Sequence, residues 1–225
     1  MINKKSICIV VVIALIAMLA VAVVFSFHQE EQKKIEKTNH EFAVENTRVF
    51  NLGETVVLNA AEDEKGFDYG GYVAGFPWRG TVEMTVVSAK VFSSFKNAGL
   101  DIEKRIDRGR TQENAKLLVL EVDLYNNDAK SLMEEKDRFN ISTFVNLLEK
   151  NSPSSAGDIV YFDGTASGVQ PRKGEFEFIL KDGEKKTFLV GIEVPAHKLN
   201  ESLVIGMGSA YNKKYAVELA LGEGA

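Results

Sequence analysis

Cysteine and histidine are almost missing from this chain. Cys8 is the single cysteine, and it lies inside an apolar run, so no intrachain disulfide can form. A zinc site needs several Cys or His ligands at close spacing, and His28, His40 and His197 are too scattered to supply one. The same scarcity limits nucleophilic catalysis, which needs a base within hydrogen-bond reach of the nucleophile. His28 and His40 fall in a polar N-terminal stretch, which leaves His197, in VPAHKLNE, as the histidine available to the rest of the chain; it reads as a surface-loop residue. GMGSA and GTASG put serine beside glycine without the Gly-x-Ser-x-Gly spacing of a nucleophile elbow, and they read as turns. No catalytic residue, cofactor or metal is assigned, and the chain is expected not to be an enzyme.

An excess of basic residues is also lacking. Lys and Arg number 27 against 32 Asp and Glu, a net charge of -5. Nucleic-acid binders cluster Lys and Arg on one face to neutralise phosphates, so that partner class is excluded. The basic residues of EKRIDRGR, at 103–110, are interleaved with acids and read as a solvated loop.

Charge, proline and glycine are all absent from residues 6–27, SICIVVVIALIAMLAVAVVFSF. A run of that length crosses a hydrocarbon core of about 30 Å. A cleaved signal peptide has a shorter apolar core, of about 7 to 15 residues, ending in a small-x-small site. Ala20 and Ala22 have the right residue types, but Val23, Val24 and Phe25 follow them, so the run reads as an uncleaved anchor. Cys8 stands at the start of the run, where a lipoprotein cysteine would follow it. Lys4 and Lys5 flank one side, whereas Glu30 and Glu31 come first on the other, ahead of Lys33, Lys34 and Lys37. The positive-inside bias then makes residues 1–5 a short cytoplasmic tail and puts the C-terminal part outside the cell membrane, as a single-pass protein.

Residues 28–51 are polar, of mixed charge and free of proline and glycine, and they read as a stalk. From residue 52 to 222 the pattern becomes strand-like. Runs rich in Val, Ile, Phe and Thr alternate with Gly, Asn, Asp and Ser clusters. Strands are expected at 54–59, 81–95, 116–127, 139–149, 159–164, 202–210 and 214–221. A strand–turn–strand hairpin about Asp182-Gly183 is expected at 174–195. In 116–127, Leu118, Leu120, Val122 and Leu124 alternate with Val119, Glu121, Asp123 and Tyr125, which marks a central strand with one buried face. DAKSLMEEKD, at 128–137, is the helix-compatible piece. The turn spacing argues for a mainly β domain of two packed antiparallel sheets. At roughly 170 residues it buries about 70% of its unfolded surface, enough to fold without disulfide or metal.

Three stretches resemble one family. GETVVL opens the first strand at Gly53, AKLLVLEVDLYNND (115–128) is an aliphatic strand ending in Asn, and LKDGEKKTFLVGIEVP (180–195) closes a strand on Glu-Val-Pro. Residues 53–221 thereby resemble bacterial extracytoplasmic immunoglobulin-like domains of unknown function, related to the mycobacterial immunoprotective extracellular antigen. The resemblance implies an immunoglobulin-like antiparallel β-sandwich behind a tether, broadly linked to binding at the cell surface, and it carries no catalytic residues. Residues 61–80 and 96–114 are longer than the family pattern, so any special property is expected there.

AEDEKGFDYGG gathers the oxygens of Glu62, Asp63, Glu64 and Asp68, but not in EF-hand order, and reads as a solvated loop. GFDYGGYVAGFPWRG, at 66–80, sets Phe67, Tyr69, Tyr72, Phe76 and Trp78 among glycines. Aromatics supply large rigid contact area at low entropy cost, which makes these five the candidate partner contact. The competing reading folds them back as a cap on the core, Trp78 above all. The expected function is a membrane-anchored extracytoplasmic interaction module that binds a protein or envelope ligand. The alternative is a structural or accessory subunit of a membrane or envelope complex, its apolar helix packed on other membrane helices. The sequence does not fix the oligomeric state.

Overall fold

The computed structural model describes residues 47–60, 68–69, 72–73, 76–106, 114–132, 135–150, 155–164, 176–208 and 215–223. The chain divides into two units, Met1–Phe42 and Ala43–Ala225, and every described residue belongs to the second. The expected anchor at 6–27 therefore lies outside the described residues. Among those that are described, no helix is long and apolar enough to cross a membrane.

The chain is mainly β. In order, the strands are β1 (Arg48–Asn51), β2 (Thr55–Asn59), β3 (Asp68–Tyr69), β4 (Tyr72–Val73), β5 (Trp78–Arg79), β6 (Thr81–Phe92), β7 (Ala115–Asn126) and β8 (Lys130–Ser131). They continue as β9 (Arg138–Asn140), β10 (Asn146–Glu149), β11 (Asp158–Phe162), β12 (Glu177–Ile179), β13 (Lys185–Pro195), β14 (Leu203–Met207), β15 (Tyr215–Glu218) and β16 (Gly222–Glu223). One sheet has the order β1-β15-β14-β10, and the other β11-β13-β7-β6-β16, with β2 also on β6. Pairing is antiparallel except for β1 on β15 and β16 on β6.

Alternation decides which faces meet. Leu118, Leu120, Val122 and Leu124 of β7 and Val190, Ile192 and Val194 of β13 share one buried cluster with Leu203, Ile205 and Met207 of β14 and Val217 of β15. The inner faces of both sheets thus contribute to a single core, as period-2 side-chain alternation requires. A bulge between Val86 and Ser88 breaks the parity in β6. Inward positions change from Val82, Met84 and Val86 to Ala89, and Val87 is turned out, 41% exposed.

A second cluster lies on the outer face of the larger sheet. Phe92, Phe95, Ala98 and Leu100, from the end of β6 and the segment after it, pack with Leu117, Val119, Val160, Tyr161 and Leu189. Arg105 ties the segment down by donating from Nε and Nη2 to Glu193 Oε1 at 3.1 and 2.8 Å, and the Ile106 N–H donates to the Val160 carbonyl at 2.7 Å. The described part of the long 96–114 loop is a cover for the sheet.

Several expectations change. Residues 81–95 are not one strand: β6 ends at Phe92, and Phe95 turns onto the cover. Residues 139–149 split into β9, a 3-10 turn at Ile141–Thr143 and β10. Asn140 caps that turn by accepting from the Ser142 N–H at 3.0 Å, which takes the chain from a two-stranded sheet into the four-stranded one. Asp182-Gly183 is a turn, with Gly183 at φ 71, but its flanking strands do not pair with each other: β12 joins β9 and β13 joins β7. Within 128–137, Lys130–Ser131 form a strand on β5 instead of helix. β1 occupies the last positions assigned to the stalk, because Phe50 packs against the core while Arg48, Val49 and Asn51 stay exposed.

Candidate functional site

The registers sort the connections by end. Residues 52–54, 150–157 and 196–202 are short links between the two sheets at one end. The long 93–114 connection also leaves and returns at this first end, whereas 60–80, 127–145, 163–184 and 208–214 emerge at the other, with the small sheets β3-β4, β5-β8 and β9-β12 inside them. The chain also enters the domain there, since Arg48 pairs with Tyr215 at the start of β15. Binding residues concentrate on connections held by a rigid scaffold, which makes this end the candidate site.

Asn126 fixes its geometry. The side chain is fully buried; Nδ2 donates to the Leu180 carbonyl at 2.9 Å and the Ala129 carbonyl at 3.1 Å, and Oδ1 accepts from the Ala129 N–H at 2.6 Å. The Gly183 N–H donates to the Asn126 carbonyl at 2.8 Å. One residue thus joins the turn after β7 to the turn before β13. Asp128 adds a tie to the start of β6, its Oδ1 accepting from the Thr81 N–H at 2.7 Å. Gly80 sits against it at φ +89, and a Cβ there would meet the Asp128 carbonyl oxygen at 2.7 Å. Gly80→Ala is expected to cost about 2 kcal/mol or more, read as a fall in the urea midpoint, because it combines a strained φ with a backbone clash.

Charged side chains surround the turns. Arg138 donates from Nη1 to Glu177 at 3.0 Å and from Nη2 to Glu135 at 2.6 Å, and Lys130 pairs with Asp182 at 3.2 Å. The Lys181 N–H holds the Glu184 carboxyl below its usual range, with Lys186 assisting. On β7, Lys185 and then Thr187 hold the Asp123 carboxyl down in the same way. Both groups are more acidic folded than unfolded, so their stabilisation is complete near neutral pH and is lost as pH falls below about 4 through the folded values. Asp123→Asn is expected to be less stable than the parent at pH 7 and to lose less stability on acidification; chemical unfolding at pH 7 and pH 3 reads the difference.

The five sequence-chosen aromatics separate. Phe76 and Trp78 are core residues, 7% and 1% exposed. Trp78 stacks on Phe76 with centroids 4.5 Å apart and on Phe144 at 4.9 Å, and it meets Phe139 edge-on at 6.0 Å. The partner-contact reading is corrected for these two, because both are buried and the Trp78 ring is stacked between Phe76 and Phe144. Tyr69 and Tyr72 are cross-strand partners in the β3-β4 hairpin, on either side of Gly70-Gly71. Phe67 lies outside the described residues, as do Glu62, Asp63 and Glu64. Among the described residues no group of three or more His, Cys, Asp or Glu could hold a metal ion. The sequence reading missed Leu132, which is 62% exposed at this end, where its N–H donates to the Pro77 carbonyl at 2.9 Å. Its position inside a helix-like polar run gave no sign of an exposed apolar side chain beside β5. Comparison of the chain with protein-family models, with curated proteins and with solved structures finds no significant match.

Proposed function

We propose that the chain is a membrane-anchored extracytoplasmic interaction module without catalytic activity, in which residues 6–27 tether an immunoglobulin-like sandwich that binds a protein or envelope ligand. The immunoglobulin-like reading rests on strand order. With β6, β7, β10, β11, β13, β14 and β15 taken as strands A to G, one sheet reads A-B-E-D and the other C-F-G, the seven-stranded constant-type arrangement. β1, β2 and β16 add to its flanks. The same order supports membership of the extracytoplasmic family that the sequence resembles.

The observation that carries the binding role is that three long connections, 60–80, 127–145 and 163–184, emerge at one end, while the described part of the fourth, 93–114, is packed on the outer face of the larger sheet. A photoreactive amino acid at Tyr69, Tyr72 or Leu132 of the full-length chain is expected to capture a discrete partner, whereas the same group at exposed Ile102, in the cover segment, does not. Equal capture from both places, or capture only from Ile102, would contradict the role. The accessory-subunit reading is favoured by one feature: the chain enters the domain at the candidate end. Adducts obtained only through residues 6–27 would select it.

A further inference from the structure

Residues 93–105 lie over the outer face of the larger sheet with both ends fixed. At one end β6 closes on the pair Phe92↔Leu117. At the other the Ile106 N–H donates to the Val160 carbonyl at 2.7 Å, and the Ile106 side chain enters the main core, 8% exposed. Between these anchors, and among the described residues, every backbone–backbone hydrogen bond of the segment stays inside it: Ala98 donates to Ser94, Gly99 to Lys96, Leu100 to Phe95, Lys104 to Asp101 and Arg105 to Ile102. Asn97 is tied to Ser93 and Ser94, and Asp101 accepts from the Glu103 N–H. The segment is a self-bonded strap that meets the sheet through side chains.

Few side chains make that contact. Phe95 is 8% exposed and meets Tyr161 edge-on, with ring centroids 6.2 Å apart, and Ala98 and Leu100 pack half-buried on the same cluster. The charged contact is more specific. Glu193 and Asp158 stand opposite each other in the β11-β13 register, and alternation puts both on the outer face, because Ile192, Val194 and Ile159 belong to the main core. Like charges directly opposite destabilise a sheet. Arg105 offsets this by donating to Glu193 Oε1 from Nε and Nη2, in a pair whose side chains are 25% and 18% exposed.

We propose that residues 93–105 form a strap that lifts from the sheet as a unit while the sandwich stays folded, with the Arg105–Glu193 pair as its latch. Regions with few buried apolar contacts and few backbone bonds to their surroundings open at a lower free energy than global unfolding. The strap keeps its own hydrogen bonds when it lifts, so opening gives up only the Phe95, Ala98 and Leu100 contacts and the ion pair. It bares an apolar strip, Leu117, Val119, Val160, Tyr161 and Leu189, beside two carboxylates. The device is independent of what the candidate end binds.

Two tyrosines report the two kinds of opening: Tyr161 lies under the strap, 6% exposed, and Tyr215 lies in the main core, 3% exposed. Burial first, then the charges of Asp163 and Asp101, pushes the Tyr161 phenol above its ordinary value, so the phenolate that nitration requires forms when the strap lifts. In the full-length chain treated with tetranitromethane, mass spectrometry is expected to find Tyr161 nitrated at least about tenfold faster than Tyr215. Arg105→Ala is expected to raise the Tyr161 rate about tenfold. Gly80→Ala, which weakens the domain at the end away from the strap, is expected to raise the Tyr215 rate and to leave that of Tyr161 unchanged. Equal rates at the two tyrosines in the parent, a Tyr161 rate in Arg105→Ala like the parent's, or a rise at Tyr161 with Gly80→Ala as large as at Tyr215 would each overturn the proposal.

Discussion

Asn126→Ala is expected to lower the stability of the domain by about 3 to 5 kcal/mol, or roughly 10 °C in thermal midpoint. The side chain makes three hydrogen bonds to the backbones of Ala129 and Leu180, and both of those residues are 0% exposed. Alanine leaves two carbonyls and one N–H without partners where water does not reach, and each such group costs about 1 to 3 kcal/mol. Asn126→Asp sharpens the test. It keeps the acceptor for the Ala129 N–H but sets a carboxylate against two carbonyl oxygens. Its carboxyl would be held far above the ordinary range when folded, so this variant is expected to recover stability as pH falls, whereas Asn126→Ala is not. Urea unfolding followed by the fluorescence of the single tryptophan measures both.

The second large effect concerns that tryptophan. Trp78→Ala is expected to cost about 3 to 5 kcal/mol, since it empties a slot between Phe76 and Phe144 at the centre of the aromatic chain. Beyond that slot the contacts run on from Phe144 and Phe139 to Phe178, and from Phe178 to Phe162 and Phe188, joining the small β9-β12 sheet to the larger one. Trp78→Phe is expected to cost far less, about 1 kcal/mol. It keeps a flat ring in the slot, and the indole Nε1–H it removes is buried with no hydrogen-bond partner among the described residues. Circular dichroism during chemical unfolding separates the two variants. A Trp78→Phe loss as large as that of alanine would mean that the N–H, not the ring, matters.

The long strands were legible in the sequence, and the small sheets were not. The alternation of Leu118 through Leu124 marked β7 as a central strand, and it does lie between β13 and β6. The turn at Asp182-Gly183 was legible as a turn, but its pairing was not. A local signal specifies the reversal of the chain, whereas β12 is captured by β9 through the distant register Phe178↔Phe139. Strands of two or three residues, such as β5 and β8, are too short to display a period, so 128–137 read as helix. The bulge in β6 reversed which residues face the core after Val86, and no composition signal announces a bulge. At the candidate end, glycine beside aromatics is compatible with either a contact surface or a cap. Phe76 and Trp78 proved to be the cap because residues far along the chain supply their partners: Phe144 stacks on Trp78, Phe139 meets it edge-on, and Tyr215 lies against Phe76.

In the proposed topology the β domain is displayed outside the membrane by residues 6–27. Protease digestion of right-side-out membrane vesicles carrying the full-length chain tests it most directly, using an epitope fused after residue 225. The epitope is expected to be released from intact vesicles, while a membrane-bound N-terminal fragment containing Cys8 remains. An epitope digested only after the vesicles are opened would contradict it, as would a chain recovered wholly in the soluble fraction.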